Sequence, residues 1–135
     1  MLIKEVPIEK ILQIRQQVMY PKETLEFVKL DDDALGTHLG LYQDDRLLSV
    51  ISLFEGDGTI QFRKFATITN EQGKGYGTRL LQYVMDWAVK NEKKIIWCNA
   101  RLSATSLYEK FGMQQTGDSW EKYGIEFIKM QKQLT

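Results

Sequence analysis

Gln72-Gly73-Lys74-Gly75-Tyr76-Gly77-Thr78 joins an extended, mostly apolar segment, Phe62 to Thr69, to a helical one, Leu80 to Val89. Glycines at alternate positions of a strand-to-helix junction leave backbone N–H groups uncovered by side chains. The first turn of the following helix adds donors that have no acceptor within the helix, and the positive end of its dipole. Such a junction suits phosphate oxygens, so a phosphorylated ligand is expected here.

Two familiar phosphate motifs do not fit. A P-loop needs Ser or Thr directly after Gly-Lys, but Gly75 follows Lys74. A dinucleotide fingerprint spaces its last two glycines further apart and places an acidic residue at the end of a second parallel strand. Glu92 has about the right separation but precedes the next strand, Lys94 to Cys98.

Gln72-x-x-Gly75-x-Gly77 resembles the Arg/Gln-x-x-Gly-x-Gly/Ala signature of the GNAT superfamily, the acyl-CoA-dependent N-acetyltransferases. Phe65-Ala66-Thr67-Ile68 occupies the place of the strand that precedes the loop in that family. Ala104-x-x-x-Tyr108-Glu109-Lys110-Phe111-Gly112-Met113 resembles the family's second signature, Ala-x-x-x-Tyr-Glu-Lys-x-Gly-Phe. The resemblance implies a mixed, mostly antiparallel central sheet flanked by helices, in an α/β fold, and acetyl-CoA as co-substrate. It implies that Gln72, Gly73, Lys74, Gly75, Tyr76, Gly77 and Thr78 hold the pyrophosphate. Ala66, Thr67 and Ile68 would then offer strand amides and carbonyls to the pantetheine arm.

Composition agrees with a globular protein. The 135 residues fit one domain, residues 1–135, with room for a core. No apolar run approaches a membrane span, and Met1 to Pro7 lacks a signal-peptide apolar region. The lone Cys98 excludes an internal disulfide and fits a reducing compartment, so a cytoplasmic location is expected. Formal charge is zero, with no basic cluster large enough for a nucleic-acid footprint. One histidine and one cysteine, with no paired ligand spacing, argue against zinc.

Leu2 to Val6 reads as a strand. Ile8, Ile11, Leu12, Val18 and Met19 follow at helical spacing, with Pro7 able to start that helix and Pro21 to stop it. A short helix is expected around Thr24 to Val28. Thr37 to Tyr42 and Leu47 to Phe54 read as strands about an Asp44-Asp45 turn, and Thr59 to Thr69 leads to the glycine loop. Leu80, Leu81, Val84, Met85 and Ala88 form an apolar helical stripe that ends near Asn91. Ser103 is expected to cap a helix that Gly112 ends, and two strands near Met113 to Thr116 and Ile125 to Met130 close the chain.

Acetyl transfer to an amine needs a held thioester, an amine that loses a proton and a thiolate that gains one. Tyr108 matches the signature tyrosine that the family uses as proton donor, although its place on an apolar stripe also suits a core residue. For the general base, Glu55 at a strand end, His38 and ordered water all stay open. Cys98 reads as a small buried residue. Many family members carry asparagine where this chain has Arg101, seven positions before Tyr108; Asn99 is the expected cofactor contact, with Arg101 the alternative unless it meets a phosphate or faces solvent.

Asp31-Asp32-Asp33, with Glu23 and Glu26, reads as a solvated loop or as an attractor for a cationic amine. Trp120 and Tyr123, expected in a loop between the last strands, would be the other wall of the acceptor site. The expected partner is a small-molecule or peptide amine, with a homodimer left open. The competing function is a non-catalytic acyl-CoA sensor.

Overall fold

Seven strands in the order β1-β2-β3-β4-β5-β7-β6 make up the sheet of this computed structural model, which describes residues 1–135. The strands are β1 (Leu2–Glu5), β2 (Thr37–Gln43), β3 (Arg46–Glu55), β4 (Thr59–Thr67), β5 (Ile95–Arg101), β6 (Gln114–Lys122) and β7 (Ile125–Gln133). The helices are α1 (Ile8–Met19), α2 (Tyr76–Lys90) and α3 (Thr105–Glu109). Only the β4–β5 pair is parallel among the registers β1–β2, β2–β3, β4–β5, β5–β7 and β6–β7, so the fold is the expected α/β class with a mostly antiparallel sheet. Contacts group into two compact units: Met1–Phe54 with Arg63–Val84, and Glu55–Phe62 with Met85–Thr135.

In the first unit, β2 and β3 turn through Asp44 and Asp45, both left-handed at φ +51° and +64°. Two left-handed residues match the right-handed twist of the strands they join, and Asp tolerates that conformation better than most side chains. Leu48 to Phe54 of β3 are buried without a break, as in a strand covered on both faces. Helix α1 starts with Pro7 as N-cap and ends at Met19, before Pro21. It lays Ile11 and Ile14 against Val6, Val50 and Ala66.

Helix α1 also buries a charge that its apolar periodicity does not announce. Arg15 is fully buried. Its guanidinium takes both carboxylate oxygens of Asp33, at 2.8 and 2.9 Å, and donates to Val28 O at 3.0 Å and Ser52 Oγ at 3.0 Å. The Leu30 N–H donates to Asp33 Oδ2 at 2.9 Å. His38 completes the set, with Nε2 2.9 Å from Asp33 O and Nδ1 2.7 Å from Ser52 Oγ. A carbonyl only accepts, so Nε2 carries the proton and Nδ1 accepts from the Ser52 hydroxyl. His38 is thereby a structural tie with both ring nitrogens committed.

This cluster corrects two expectations. Of the acidic run only Asp33 leaves the solvated face, for the buried pair with Arg15; Asp32 meets Arg63 at 3.5 Å and Glu26 meets Lys29 at 2.7 Å as surface pairs. Residues Thr24 to Val28 form turns rather than a helix. The Thr24 hydroxyl accepts the Phe27 N–H at 3.1 Å, which favours a local turn over a helical ladder.

In the second unit, Thr59, Ile60 and Gln61 of β4 pair with Ile95, Ile96 and Trp97 of β5, and the register stops there. β7 pairs with β5 along its whole length. Trp120 lies within β6, not in a loop; only Tyr123 and Gly124, at φ +53° and +74°, form the hairpin turn. Ser103 does not cap α3. A 3₁₀ turn, Leu102–Ala104, comes first, Ala104 is the N-cap, and the Thr105 hydroxyl donates to Leu102 O at 3.1 Å. Gly112 is left-handed at φ +86° and ends the helix as expected. The α2 stripe from Leu80 to Ala88 is buried, and the Asn91 side chain donates to Trp87 O at the end of that helix.

Burial alone would raise the Asp33 carboxyl. Hydrogen bonds from Arg15 and Leu30 and the Arg15 charge outweigh it and hold Asp33 below the usual carboxylate range. A depressed carboxyl contributes stability above its unfolded value of about 4, and that contribution is lost as pH falls through the folded value. Asp33→Asn strands a buried guanidinium and should cost about 3–5 kcal/mol in urea unfolding near pH 7. The gap between the wild type and the variant should narrow below pH about 4. A gap that stays constant to pH about 2 would remove the Asp33 carboxylate from this role.

Candidate active site

The glycine junction lies in the first unit. After Thr67 the chain makes a 3₁₀ turn, Thr69–Glu71, and re-extends at Gln72. The Gln72 side chain donates back to Thr67 O at 3.0 Å, which ties the start of the loop to the end of β4. Gly73 and Gly75 are left-handed, at φ +78° and +90°. A Cβ at either position would meet nothing within 4 Å, so these glycines answer a backbone demand and border open space. Gly77 serves differently. A Cβ there would lie 3.1 Å from Thr67 Oγ1 and 3.2 Å from Phe65 Cζ, so the start of α2 rests against β4.

The ladder of α2 begins with the Arg79 N–H donating to Gly75 O at 3.0 Å. The amides of Tyr76, Gly77 and Thr78 therefore have no acceptor within the helix. Left-handed glycines alternating with other residues, next to a helix start, form an anion-binding concavity. The junction can hold phosphate oxygens through backbone donors alone, and its open glycines leave room for them.

The strand groups expected to meet a ligand are partly engaged. Ala66 O accepts the Ser49 hydroxyl at 3.1 Å, and Thr67 Oγ1 lies 2.9 Å from Ser49 Oγ. Ile68 N–H is spent on Leu48 O at 2.8 Å and Ile68 O accepts the Glu71 N–H at 2.9 Å, so Ile68 offers no amide donor and one remaining carbonyl lone pair. One feature of β4 has no sequence signal. Lys64 is left-handed at φ +53° in mid-strand. A non-glycine residue in that region stores backbone strain, and such features gather at functional sites.

Glu71 is the other feature that periodicity hides. It is only 9% exposed and receives Lys74 Nζ at 3.0 Å and Arg46 Nη2 at 3.2 Å, one on each oxygen. The hydrogen bond from Lys74 leads in holding its carboxyl below the usual range. The three-residue step from Glu71 to Lys74 is legible in the sequence, whereas Arg46 arrives from the β2–β3 turn and is not.

Tyr108 belongs to the second unit. Its ring packs at 5.6 Å from that of Phe62, just past the last paired residue of β4. Burial pushes its phenol above the ordinary range; Cys98 adds to the rise and the Arg101 charge opposes it. Tyr108 is therefore a core residue whose phenol stays protonated at neutral pH. Burial pushes the Cys98 thiol up to about 12, which keeps it from acting as a thiolate nucleophile. Asn99 and Arg101 occupy alternate positions on one face of β5, with Asn99 exposed. Arg101 is the one whose charge acts on Tyr108.

Glu55 lies at the end of β3. It forms an ion pair with Lys93, a lysine whose side chain is only 14% exposed, beside the paired start of β4 and β5. No set of three or more His, Cys, Asp and Glu side chains is placed to hold a metal ion. No helix is long and apolar enough to cross a membrane.

Residues 9–134 match the family description "Acetyltransferase (GNAT) domain". An uncharacterised N-acetyltransferase of Bacillus subtilis strain 168, YitI, is 27% identical over 142 aligned residues, covering 98% of this chain and 95% of that protein. The fold matches a crystal structure described as an N-acetyltransferase from Lactobacillus plantarum, with a TM-score of 0.85 at 22% identity over 99% and 97% of the two chains. An aminoglycoside 6'-N-acetyltransferase crystallised with coenzyme A matches with a TM-score of 0.80 at 15% identity, over 100% of this chain and 98% of that one.

Proposed function

The chain belongs to the GNAT acetyltransferase family, and from that premise we propose that it moves an acetyl group from acetyl-CoA to a primary amine by direct attack. The observation that carries this reading is the glycine junction. Gly73 and Gly75 are left-handed beside open space, next to helix amides with no acceptor in the ladder. That arrangement fits a pyrophosphate bound through the backbone. Acetyl-CoA supplies an activated thioester when bound.

The chain's own residues have three tasks. Gln72 to Thr78 hold the pyrophosphate through their backbone amides. The end of β4 orients the pantetheine arm through the free lone pairs of Ala66, Thr67 and Ile68 carbonyls. Tyr108 delivers the proton of its hydroxyl to the thiolate sulfur. Burial keeps that proton in place, and the Arg101 charge eases its release by favouring the phenolate. Because Arg101 acts on Tyr108, it takes precedence over Asn99 as the β5 residue at the reacting end. Glu55 is committed to Lys93, which leaves ordered water as the path by which the amine loses its proton.

The acceptor is an amine whose identity the charges help to narrow. Of the acidic stretch, Asp33, Asp32 and Glu26 already have cationic partners. A single ammonium therefore suits this segment better than a polycation, and the exposed Leu25, Phe27 and Leu35 suit an apolar body beside it.

Gly75→Ala should lower acetyl-CoA affinity by more than about tenfold in calorimetry while the protein stays folded, because the new Cβ either enters the ligand's space or pulls the loop out of its left-handed form. Unchanged affinity would defeat the loop assignment.

Tyr108→Phe keeps the ring packing and removes the proton. It should lower kcat by about 10²–10⁴ with little change in cofactor affinity. Because burial raises the phenol, kcat should show no alkaline limb from Tyr108 below pH about 10. Turnover within about twofold of wild type would assign the proton to another group. Binding without thiol release across a broad amine panel would instead support an acyl-CoA sensor.

Glu55→Gln, by contrast, should leave kcat within about threefold and act mainly on stability. A fall of about a hundredfold or more, with the fold intact, would restore Glu55 as the base.

A further inference from the structure

We infer that Arg46 and Lys74, set in place by the buried Glu71 carboxylate, seat the 3′-phosphate of coenzyme A and make the protein selective for the 3′-phosphorylated carrier. The inference rests on the acetyl-CoA reading above and adds a second phosphate site to it.

Glu71 is nearly buried, yet both of its cationic partners keep their heads in solvent: side-chain exposure is 63% for Arg46 and 56% for Lys74, against 11% for Glu71. Each carboxylate oxygen receives one cation, at 3.2 and 3.0 Å. A lysine has three N–H donors and an arginine five, so most of their donor capacity still faces outward. Two cations against one carboxylate leave a net positive charge beside the glycine loop.

A carboxylate that only neutralised a surface lysine would not need a nearly buried position or a second cation from another strand. Here it fixes two long, otherwise mobile side chains at one place. That lowers the ordering cost a bound anion would meet. Coenzyme A carries two chemically distinct phosphate groups. The pyrophosphate matches the loop amides, which supply dipoles and many donors but little net charge. The 3′-phosphate is a monoester carrying about −1.5 to −2 charges at pH 7, and it matches fixed cations. Glu71 is thus a positioning residue, and Arg46 and Lys74 are binding residues.

The test compares acetyl-CoA with its 3′-dephospho form by calorimetry, on wild type and on the Arg46→Gln/Lys74→Gln double variant. Wild type should bind acetyl-CoA at least about tenfold more tightly than the dephospho form. The double variant should bind both forms equally, at the affinity wild type shows for the dephospho form. Glu71→Gln keeps the shape of the side chain and makes the site more positive, yet it should reduce the discrimination, because the cations lose their anchor.

Wild type that binds both forms equally overturns the inference. So does a double variant that loses the two forms in parallel, because its cations would then serve the pyrophosphate or the loop's own structure. A Glu71→Gln variant with increased discrimination overturns the positioning role. Wild type that binds neither form defeats the acetyl-CoA reading itself, an outcome distinct from the other three.

Discussion

The absence of a side chain at position 77 lets the start of helix α2 rest closely against β4. The space a Cβ would take is bounded by Thr67 Oγ1 and Phe65 Cζ at little more than 3 Å. Both belong to β4, the strand that leads into the loop. The contact therefore fixes how the chain leaves the strand and enters the helix. The two left-handed glycines before it are a consequence: the chain must reverse within a few residues, and L side chains rarely adopt such backbone angles. The exposed amides follow in turn, because a loop shaped in this way has no neighbouring carbonyls to receive them. The close packing thus goes with a junction of open glycines and unspent helix amides, an arrangement suited to an anion.

Buried charge performs the same service elsewhere in the first unit. Arg15 holds the irregular stretch after α1 to β3 through Asp33, Val28 O and Ser52. Glu71 holds the loop to the start of β3 through Arg46 and Lys74. The Arg15–Asp33 pair is not a cheap source of stability, since desolvating ions costs several kcal/mol before the pair forms. What both clusters supply is direction. An apolar contact would hold these segments with less angular definition, whereas a carboxylate that accepts from two partners fixes both. The segments anchored in this way lack regular secondary structure, where backbone ladders cannot do the work.

The legible part of the fold was the part governed by local rules. Strand alternation, the α2 stripe, the Asp44-Asp45 turn and the glycine loop all follow from periodicity and backbone preference within a few residues. The two signatures pointed to the family, and Tyr108 could be singled out because it lies in one of them. The illegible part depends on partners distant in sequence. Arg15 reads as a polar helix position until Asp33 and Ser52 are brought to it. The acidic run reads as a solvated face for the same reason. Trp120 reads as a loop residue because β6 is an exposed edge strand, where one face has no core to impose alternation. Lys64 leaves no trace, because its left-handed backbone is set by the strand's surroundings rather than by its own residue type.

Tyr108 shows why core and catalyst need not be opposed readings. In the role proposed for it, Tyr108 must be protonated when the thiolate forms, and burial favours this by raising the phenol. The same burial makes the phenolate costly, so a donor left wholly among apolar groups would hold its proton too firmly. Arg101 acts in the opposite sense through its charge, without a hydrogen bond that would divert the hydroxyl from its acceptor. Cys98, one strand position pair away on the other face of β5, receives no such relief and stays an inert thiol at about 12. The departure from the family's usual asparagine at position 101 acquires a physical meaning: in this chain a charge stands where other members place an amide.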